Sequence, residues 1–89
     1  MVKFDETVKF SLEKELSNPA REVIWLVCDA LKDKGYDPVN QLVGYIISGD
    51  PTYITSYKNA RSIVKRVERD ELLEEFVKVY IENMNKAEE

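Results

Sequence analysis

The glycines and prolines of this 89-residue chain are concentrated in one stretch, and they fix where its helices can start and stop. All three glycines and two of the three prolines lie in residues 35–51. Each end of the stretch carries a glycine followed closely by Asp-Pro. Glycine accepts the positive φ of a helix C-terminus, aspartate caps the next helix, and proline suits its first position. The sequence therefore predicts a helix ending at Gly35, a second helix from Pro38 to Gly49, and a new turn from Pro51.

Between these two signals, apolar residues recur at the spacing of one helix face. They stand at i, i+3, i+4, i+7 and i+8, and they are Val39, Leu42, Val43, Ile46 and Ile47. We therefore predict a short central helix with other helices packed on either side of it.

Two further helical patterns flank this segment. The N-terminal helix can be capped by Ser17 or Asn18, with Pro19 in its first turn. Its apolar stripe is Ala20, Val23, Ile24, Val27, Cys28 and Leu31. C-terminal to Pro51, the apolar residues of 60–67 and of 72–84 point in nearly opposite directions on one helix. We therefore predict a helix capped by Thr55 or Ser56, a break near 67–70, and a final helix to about Asn83.

These patterns predict an all-α fold, a compact bundle of about four to five short helices. We assign residues 17–84 to the helical domain and residues 85–89 to a frayed tail. Residues 1–16 lack a clean helical stripe and are predicted to form an extended or mobile arm, with a short edge strand as the alternative.

A chain this short buries a modest fraction of its surface, so self-association is a natural source of stability, and we predict a homodimer. Trp25 lies beside an apolar stripe that is already filled. It is a candidate dimer contact, and a core or rim position within one subunit is the alternative.

Composition excludes several function classes. The net charge of -4 disfavours general binding to nucleic acid or to anionic membranes. The chain has no histidine and a single cysteine, Cys28, so we predict no disulfide, no metal site, no cofactor and no catalytic site. No signal peptide is visible, and the longest apolar run, 23–28, is far short of a membrane span. We therefore expect a cytoplasmic protein without membrane insertion.

Five basic residues are predicted to share one helical face: Lys58, Arg61, Lys65, Arg66 and Arg69. One interpretation is a solvated face that the following acidic residues neutralise. The other is a site for an anion or a partner, because arginine matches phosphate oxygens well. That anion would be nucleic acid or a phosphorylated side chain. Thr7, in the predicted arm, is accessible to a kinase, and phosphorylation would add about -1.5 to -2 charges.

Residues 35–54 resemble the signature of the IreB family of small bacterial proteins. The likeness continues through Asn59-Ala60-Arg61, through Glu68-Arg69-Asp70-Glu71-Leu72, and through 4–10 near the N-terminus. The resemblance implies an all-helical, dimeric protein without enzymatic activity.

The same resemblance implies a regulatory role. A family member is the target of a membrane Ser/Thr kinase that senses cell-wall stress, and it is a negative regulator of intrinsic cephalosporin resistance. Its phosphorylated threonines lie in the N-terminal arm. Thr7 matches one such position, whereas the other corresponds to Phe4, which cannot be phosphorylated. The implied partners are a Ser/Thr kinase, its opposing phosphatase and an unidentified downstream protein. The alternative function is a nucleic-acid-binding helical module that uses the basic residues of 58–69.

Overall fold

The computed structural model describes residues 18–88, with side chains through Asn85, and this part of the chain contains helices and turns but no strand. The α-helices are α1 (Pro19–Asp33), α2 (Pro38–Ser48), α3 (Ala60–Val64) and α4 (Arg69–Glu88). Two short 3₁₀ turns, Pro51–Tyr53 and Tyr57–Asn59, connect α2 to α3. The all-α prediction is confirmed for this part of the chain, whereas the predicted arm 1–16 lies outside the described residues.

The ends of α1 follow the predicted signals. The Asn18 side chain caps the helix, since its Oδ1 accepts hydrogen bonds from the backbone N–H groups of Ala20 and Arg21. At the other end, Gly35 has a φ of +81°. The Gly35 N–H donates to the Lys32 carbonyl, and the next N–H donates to the Leu31 carbonyl. This pair of bonds is a Schellman motif, which satisfies the last carbonyl groups of the helix.

The second glycine and the two Asp-Pro pairs also act as predicted. Asp37 caps α2 by accepting a hydrogen bond from the Val39 N–H at 2.9 Å. Gly49 ends the helix with a φ of +75°. Asp50 then caps the first 3₁₀ turn through the Thr52 N–H at 3.0 Å. The two hydrogen bonds from Thr52 also hold the pKa of Asp50 below its usual value.

The start of α3 differs from the prediction that Thr55 or Ser56 caps it. Ser56 instead stands at the N-cap of the second 3₁₀ turn without a side-chain capping bond, and Thr55 Oγ1 accepts a hydrogen bond from the Tyr57 N–H at 3.2 Å. Lys58 and Asn59 then adopt the left-handed conformation, with φ values of 53° and 61°. Because these two residues are not in the right-handed helical conformation, α3 begins only at Ala60 and is five residues long.

The predicted break between the last two helices is confirmed, at residues 65–68. The final helix, α4, continues to Glu88, past the predicted end near Asn83. The division of the chain into a domain of 17–84 and a tail of 85–89 stays a prediction.

The core is built around α1, which contacts α2, α3, α4 and the second 3₁₀ turn. Helix α2, predicted as a short central helix with helices on either side, contacts α1, α4 and the first 3₁₀ turn. The largest fully buried side chains come from four parts of the chain, and they are Val27, Leu31, Ile54, Val64 and Leu72. From α2, only Leu42 and Tyr45 are buried. A Cβ on Gly44 would lie 2.4 Å from the Tyr53 ring, so this glycine lets the first 3₁₀ turn pack closely on α2.

Candidate functional site

An apolar groove lies between α1, α2 and α4. It has a volume of about 520 Å³ and is lined by Cys28, Val39, Leu42, Val43, Ile46, Ile47, Leu73 and Phe76. The lining contains no charged side chain. Most of the apolar stripe predicted for α2 faces this groove rather than the core, and Ile47 is 78% exposed. The groove can therefore receive an apolar group but offers no charged group for catalysis.

The surface of the groove continues along α4. All described residues of 77–85 are exposed, so the second half of this helix projects beyond the core. Its apolar side chains extend the surface that begins at Leu73. We call the combined surface the apolar face, and its members are Val39, Val43, Ile47, Leu73, Val77, Tyr80 and Met84. Such a continuous apolar surface is typical of an interaction site.

Cys28 lines the groove from the α1 side and is half-buried. Burial raises the pKa of its thiol above the ordinary value, and the nearby charge of Lys32 offsets only part of this effect. A raised pKa keeps the thiol protonated at neutral pH and lowers its reactivity. Cys28 is therefore suited to packing rather than to nucleophilic chemistry.

The predicted basic face does not form as a single helical surface. Lys58 belongs to the second 3₁₀ turn, while Arg69 is the first residue of α4, because the left-handed pair and the break at 65–68 divide the segment. The five residues therefore lie in four parts of the chain, which are the second 3₁₀ turn, α3, the segment 65–68 and the start of α4.

Three of the five basic side chains bind oxygen atoms of their own chain. Lys58 forms ion pairs with Asp33 and with Asp29, the latter at 3.1 Å, and these two carboxylates raise its pKa. Arg61 donates from Nε to the Ile54 carbonyl at 2.9 Å. The ion pairs of Lys58 hold the second 3₁₀ turn against α1, and the bond from Arg61 joins α3 to the segment between the two 3₁₀ turns.

Arg69 donates from Nη1 to the Ile46 carbonyl at 2.9 Å, and its guanidinium lies against Gly49. It therefore joins the start of α4 to the end of α2. The other two basic residues, Lys65 and Arg66, are exposed in the segment between α3 and α4. Binding of an anion or a partner by the five residues stays a prediction.

A buried carboxylate is the feature that the sequence analysis missed. Glu75 stands among several other acidic residues of α4, but it is only 6% exposed. Its two oxygen atoms accept hydrogen bonds from Arg21 Nε at 2.7 Å and from Asn18 Nδ2 at 3.0 Å. Burial by itself would raise the pKa of Glu75, but the hydrogen bonds and the nearby positive charge lower it overall. The cluster holds the start of α1 against α4.

Trp25 is 70% exposed on α1, so the structure of one chain does not place it in the core. Its part in a dimer stays a prediction. Thr7 lies outside the described residues, and its phosphorylation is likewise a prediction.

Within residues 18–88, no group of three or more acidic or cysteine side chains is arranged to hold a metal ion. In the same part of the chain, no helix has the combination of length and apolar composition that crossing a bilayer requires.

Comparison with known proteins decides the family. Residues 5–82 match the family model described as IreB regulatory phosphoprotein. The chain belongs to the IreB family. The resemblance found in the sequence is therefore confirmed. The matched range of this IreB chain includes Thr7, Trp25 and all five basic residues.

Two curated bacterial relatives of this IreB chain are similar over nearly their whole length. A UPF0297 protein of Ruminiclostridium cellulolyticum is 61% identical over 85 residues, which cover 96% of this chain and 97% of the relative. A UPF0297 protein of Acetivibrio thermocellus is 59% identical over 78 residues, which cover 88% and 87% of the two chains. The family supports the role of a regulatory phosphoprotein.

Proposed function

We propose that this chain is a non-enzymatic, cytoplasmic regulator. A membrane Ser/Thr kinase phosphorylates it at Thr7, and an opposing phosphatase removes the phosphate. The setting is cell-wall stress signalling, with an effect on cephalosporin resistance and with an unidentified downstream protein as the recipient of the signal. The observation that carries the proposal is the match to the regulatory phosphoprotein family, which begins at residue 5 and so includes Thr7. The kinase and the resistance phenotype come from the resemblance to the family.

The protein acts as a homodimer in this proposal. The apolar groove and the exposed second half of α4 support self-association, because they leave a continuous apolar surface that the described part of one chain does not cover. Trp25 remains a candidate dimer contact, since it is exposed and lies one helical turn before Cys28, which lines the groove.

A phosphate on Thr7 has basic groups to which it can dock. Lys65 and Arg66 are exposed, and Arg61 is partly exposed beside them in the sequence. The bonds that Arg61 and Arg69 make to carbonyl groups do not exhaust their guanidinium groups, because each has five N–H donors. Phosphate docking here would reposition the N-terminal segment and change the surface that a downstream protein meets.

Site-resolving mass spectrometry of the protein from its own host tests the proposal. We expect phosphate on Thr7 that increases under cell-wall stress, and we expect Thr7→Ala to abolish it. Thr7→Ser is the matched control, because it keeps a hydroxyl group for the kinase. Absence of phosphate at Thr7 under stress, with its peptide well covered, would contradict the proposal.

The change in cephalosporin susceptibility is the functional measurement. We expect Thr7→Ala to alter it in the host, whereas Thr7→Ser behaves as the wild type. NMR of the phosphorylated protein tests the docking step. If Arg61→Ala combined with Lys65→Ala leaves the N-terminal segment with the same mobility as in the phosphorylated wild type, docking at these residues is wrong.

The nucleic-acid-binding alternative has less support. The structure distributes the basic residues over separate elements, and the chain carries a net charge of -4. The alternative rests on the exposed neighbours Lys65 and Arg66. It predicts binding that weakens steeply with salt and with loss of Arg61 or Arg66. No measurable binding to duplex DNA or RNA at low salt would eliminate it.

A further inference from the structure

We propose that a second copy of this chain docks on the apolar face, with the two α4 helices packed antiparallel and the end of each seated over the groove of the other. The inference rests on the homodimer in the proposed function. It goes beyond that homodimer by assigning the surface, the relative direction of the helices and the residues that meet.

The size of the apolar face is the first argument. Its seven large side chains are each between 48% and 78% exposed. Together they expose roughly several hundred Å², which is at least comparable with the largest apolar patch on a typical monomer, about 300–600 Å². A standard protein interface buries about 800 Å² on each partner. The apolar face therefore supplies a large part of the area that a stable dimer interface buries.

The spacing along α4 is the second argument. The apolar residues of its exposed edge are Leu73, Val77, Tyr80 and Met84, separated by steps of four, three and four. This is the spacing of a coiled-coil seam. The order of these steps is the same from either end of the helix. An antiparallel copy related by a two-fold axis therefore places Leu73 opposite Met84 of the partner copy and Val77 opposite Tyr80 of the partner copy.

The shape of the surface is the third argument. The second half of α4 is a ridge, because all described residues of 77–85 are exposed, and the groove beside Leu73 is a hollow on the same face. A two-fold axis lets the ridge of each copy cover the groove of the other at the same time. An interface of this type uses the same patch on both subunits. A single foreign helix in the groove would leave the ridge exposed.

The charges of α4 are compatible with this arrangement. At 100° per residue, Lys78 and Glu82 lie on the side of α4 away from the apolar seam. Both side chains therefore stay in water when the second copy docks. The dimer covers apolar side chains without burying these charges, whose desolvation would otherwise oppose association.

Substitutions on the ridge test the surface. Wild-type protein at tens of micromolar should have twice the protomer mass by sedimentation equilibrium, and Tyr80→Glu and Met84→Glu should each have the protomer mass. Tyr57→Glu is the matched control, because Tyr57 is an exposed tyrosine that lies near Lys34 and Lys58 rather than in the groove. It should leave the dimer intact. A dimer that survives both ridge substitutions would overturn the proposal.

Cys28 gives a second measurement in the natural sequence. Because it lines the groove, the partner's helix should shield it from a thiol reagent such as DTNB. We expect labelling of folded Tyr80→Glu to be several-fold faster than labelling of wild type or of Tyr57→Glu. Equal rates for a dimeric wild type and a monomeric Tyr80→Glu would mean that the groove is not covered, and would overturn its role in the interface.

Cysteine cross-linking tests the direction of the helices. On a Cys28→Ser background, Leu73→Cys mixed with Met84→Cys should oxidise to a mixed disulfide dimer, whereas Leu73→Cys alone should not. Efficient cross-linking of Leu73→Cys to itself would indicate parallel helices and overturn the register. A dimeric wild type that fails these tests disproves this interface while the proposed homodimer stands. A monomeric wild type disproves both, and the phosphorylation of Thr7 is tested separately.

Discussion

The apolar stripes of α1 and α2 look alike in the sequence but have different surroundings in the structure. In α1, Val23, Val27 and Leu31 are buried by the rest of the chain. In α2, Val39, Val43 and Ile47 remain exposed along the groove. The periodicity that predicts a helix therefore does not reveal whether its apolar side meets the same chain or another one.

The difference follows from which elements reach each helix. Helix α1 is contacted by α2, α3 and α4, which close over its stripe. Helix α2 packs on the first 3₁₀ turn through Gly44 and turns Leu42 and Tyr45 toward the core. Its remaining apolar side chains stay exposed along the groove. If the proposed dimer forms there, α1 and α2 make separable contributions to folding and to association.

The largest expected effect separates the two stripes directly. Leu31→Ala creates a cavity in the core and should lower the free energy of unfolding by about 2–5 kcal/mol. Ile47→Ala, at a site that is 78% exposed, should change it by less than about 0.5 kcal/mol. Urea denaturation at protein concentrations low enough to give single chains measures both. Equal losses of unfolding free energy for the two variants would contradict the difference between the stripes of α1 and α2.

A second, smaller effect tests how α1 is fixed against α4. Glu75→Gln removes the charge that Arg21 and Asn18 bind, and we expect a loss of about 1–3 kcal/mol at pH 7. Glu74→Gln is the matched control on the exposed side of α4, and it should change stability little.

The pH dependence of this loss follows from the lowered pKa of Glu75. A carboxyl group with a lower pKa in the folded state stabilises that state above its unfolded pKa, and the contribution is lost as pH falls through the folded pKa. The difference in unfolding free energy between wild type and Glu75→Gln should therefore shrink in urea titrations below the ordinary carboxyl pKa of 4.5. A difference that stays constant at acidic pH would show that Glu75 does not act through its charge.

The smallest expected effect compares the two helix-ending glycines. Gly35→Ala and Gly49→Ala both place a side chain at positive φ, which should cost about 1 kcal/mol each. At Gly49 the new Cβ would also lie 2.9 Å from Arg69 Cζ, whereas nothing lies within 4 Å at Gly35. Thermal denaturation should therefore show the lower midpoint for Gly49→Ala. The reverse order would mean that the contact of Arg69 with α2 contributes little.

Much of the fold could be predicted because its signals are local. The caps at Asn18, Asp37 and Asp50 and the positive φ of Gly35 and Gly49 depend on neighbouring residues in the chain. These features determine the starts of α1 and α2 and their ends with little help from tertiary contacts.

The remaining features depend on contacts between distant residues. Glu75 could not be identified as buried, because its partners Asn18 and Arg21 are 57 and 54 residues away in the sequence. The prediction that five basic residues share one helical face does not foresee that Lys58 and Asn59 adopt a conformation that non-glycine residues rarely take. The face that α2 turns to the core likewise depends on Tyr53, which belongs to a different element.

The projecting half of α4 has a consequence for the folding of the protomer. Beyond Phe76, this helix has no buried side chain through Asn85 and so gains little tertiary support from its own chain. Isolated helices shorter than about 12–15 residues are only marginally stable in water. In the proposed dimer, the backbone of this half is therefore coupled to assembly. We expect amide exchange there to slow as the interface becomes occupied, whereas amides in α1 should follow global unfolding.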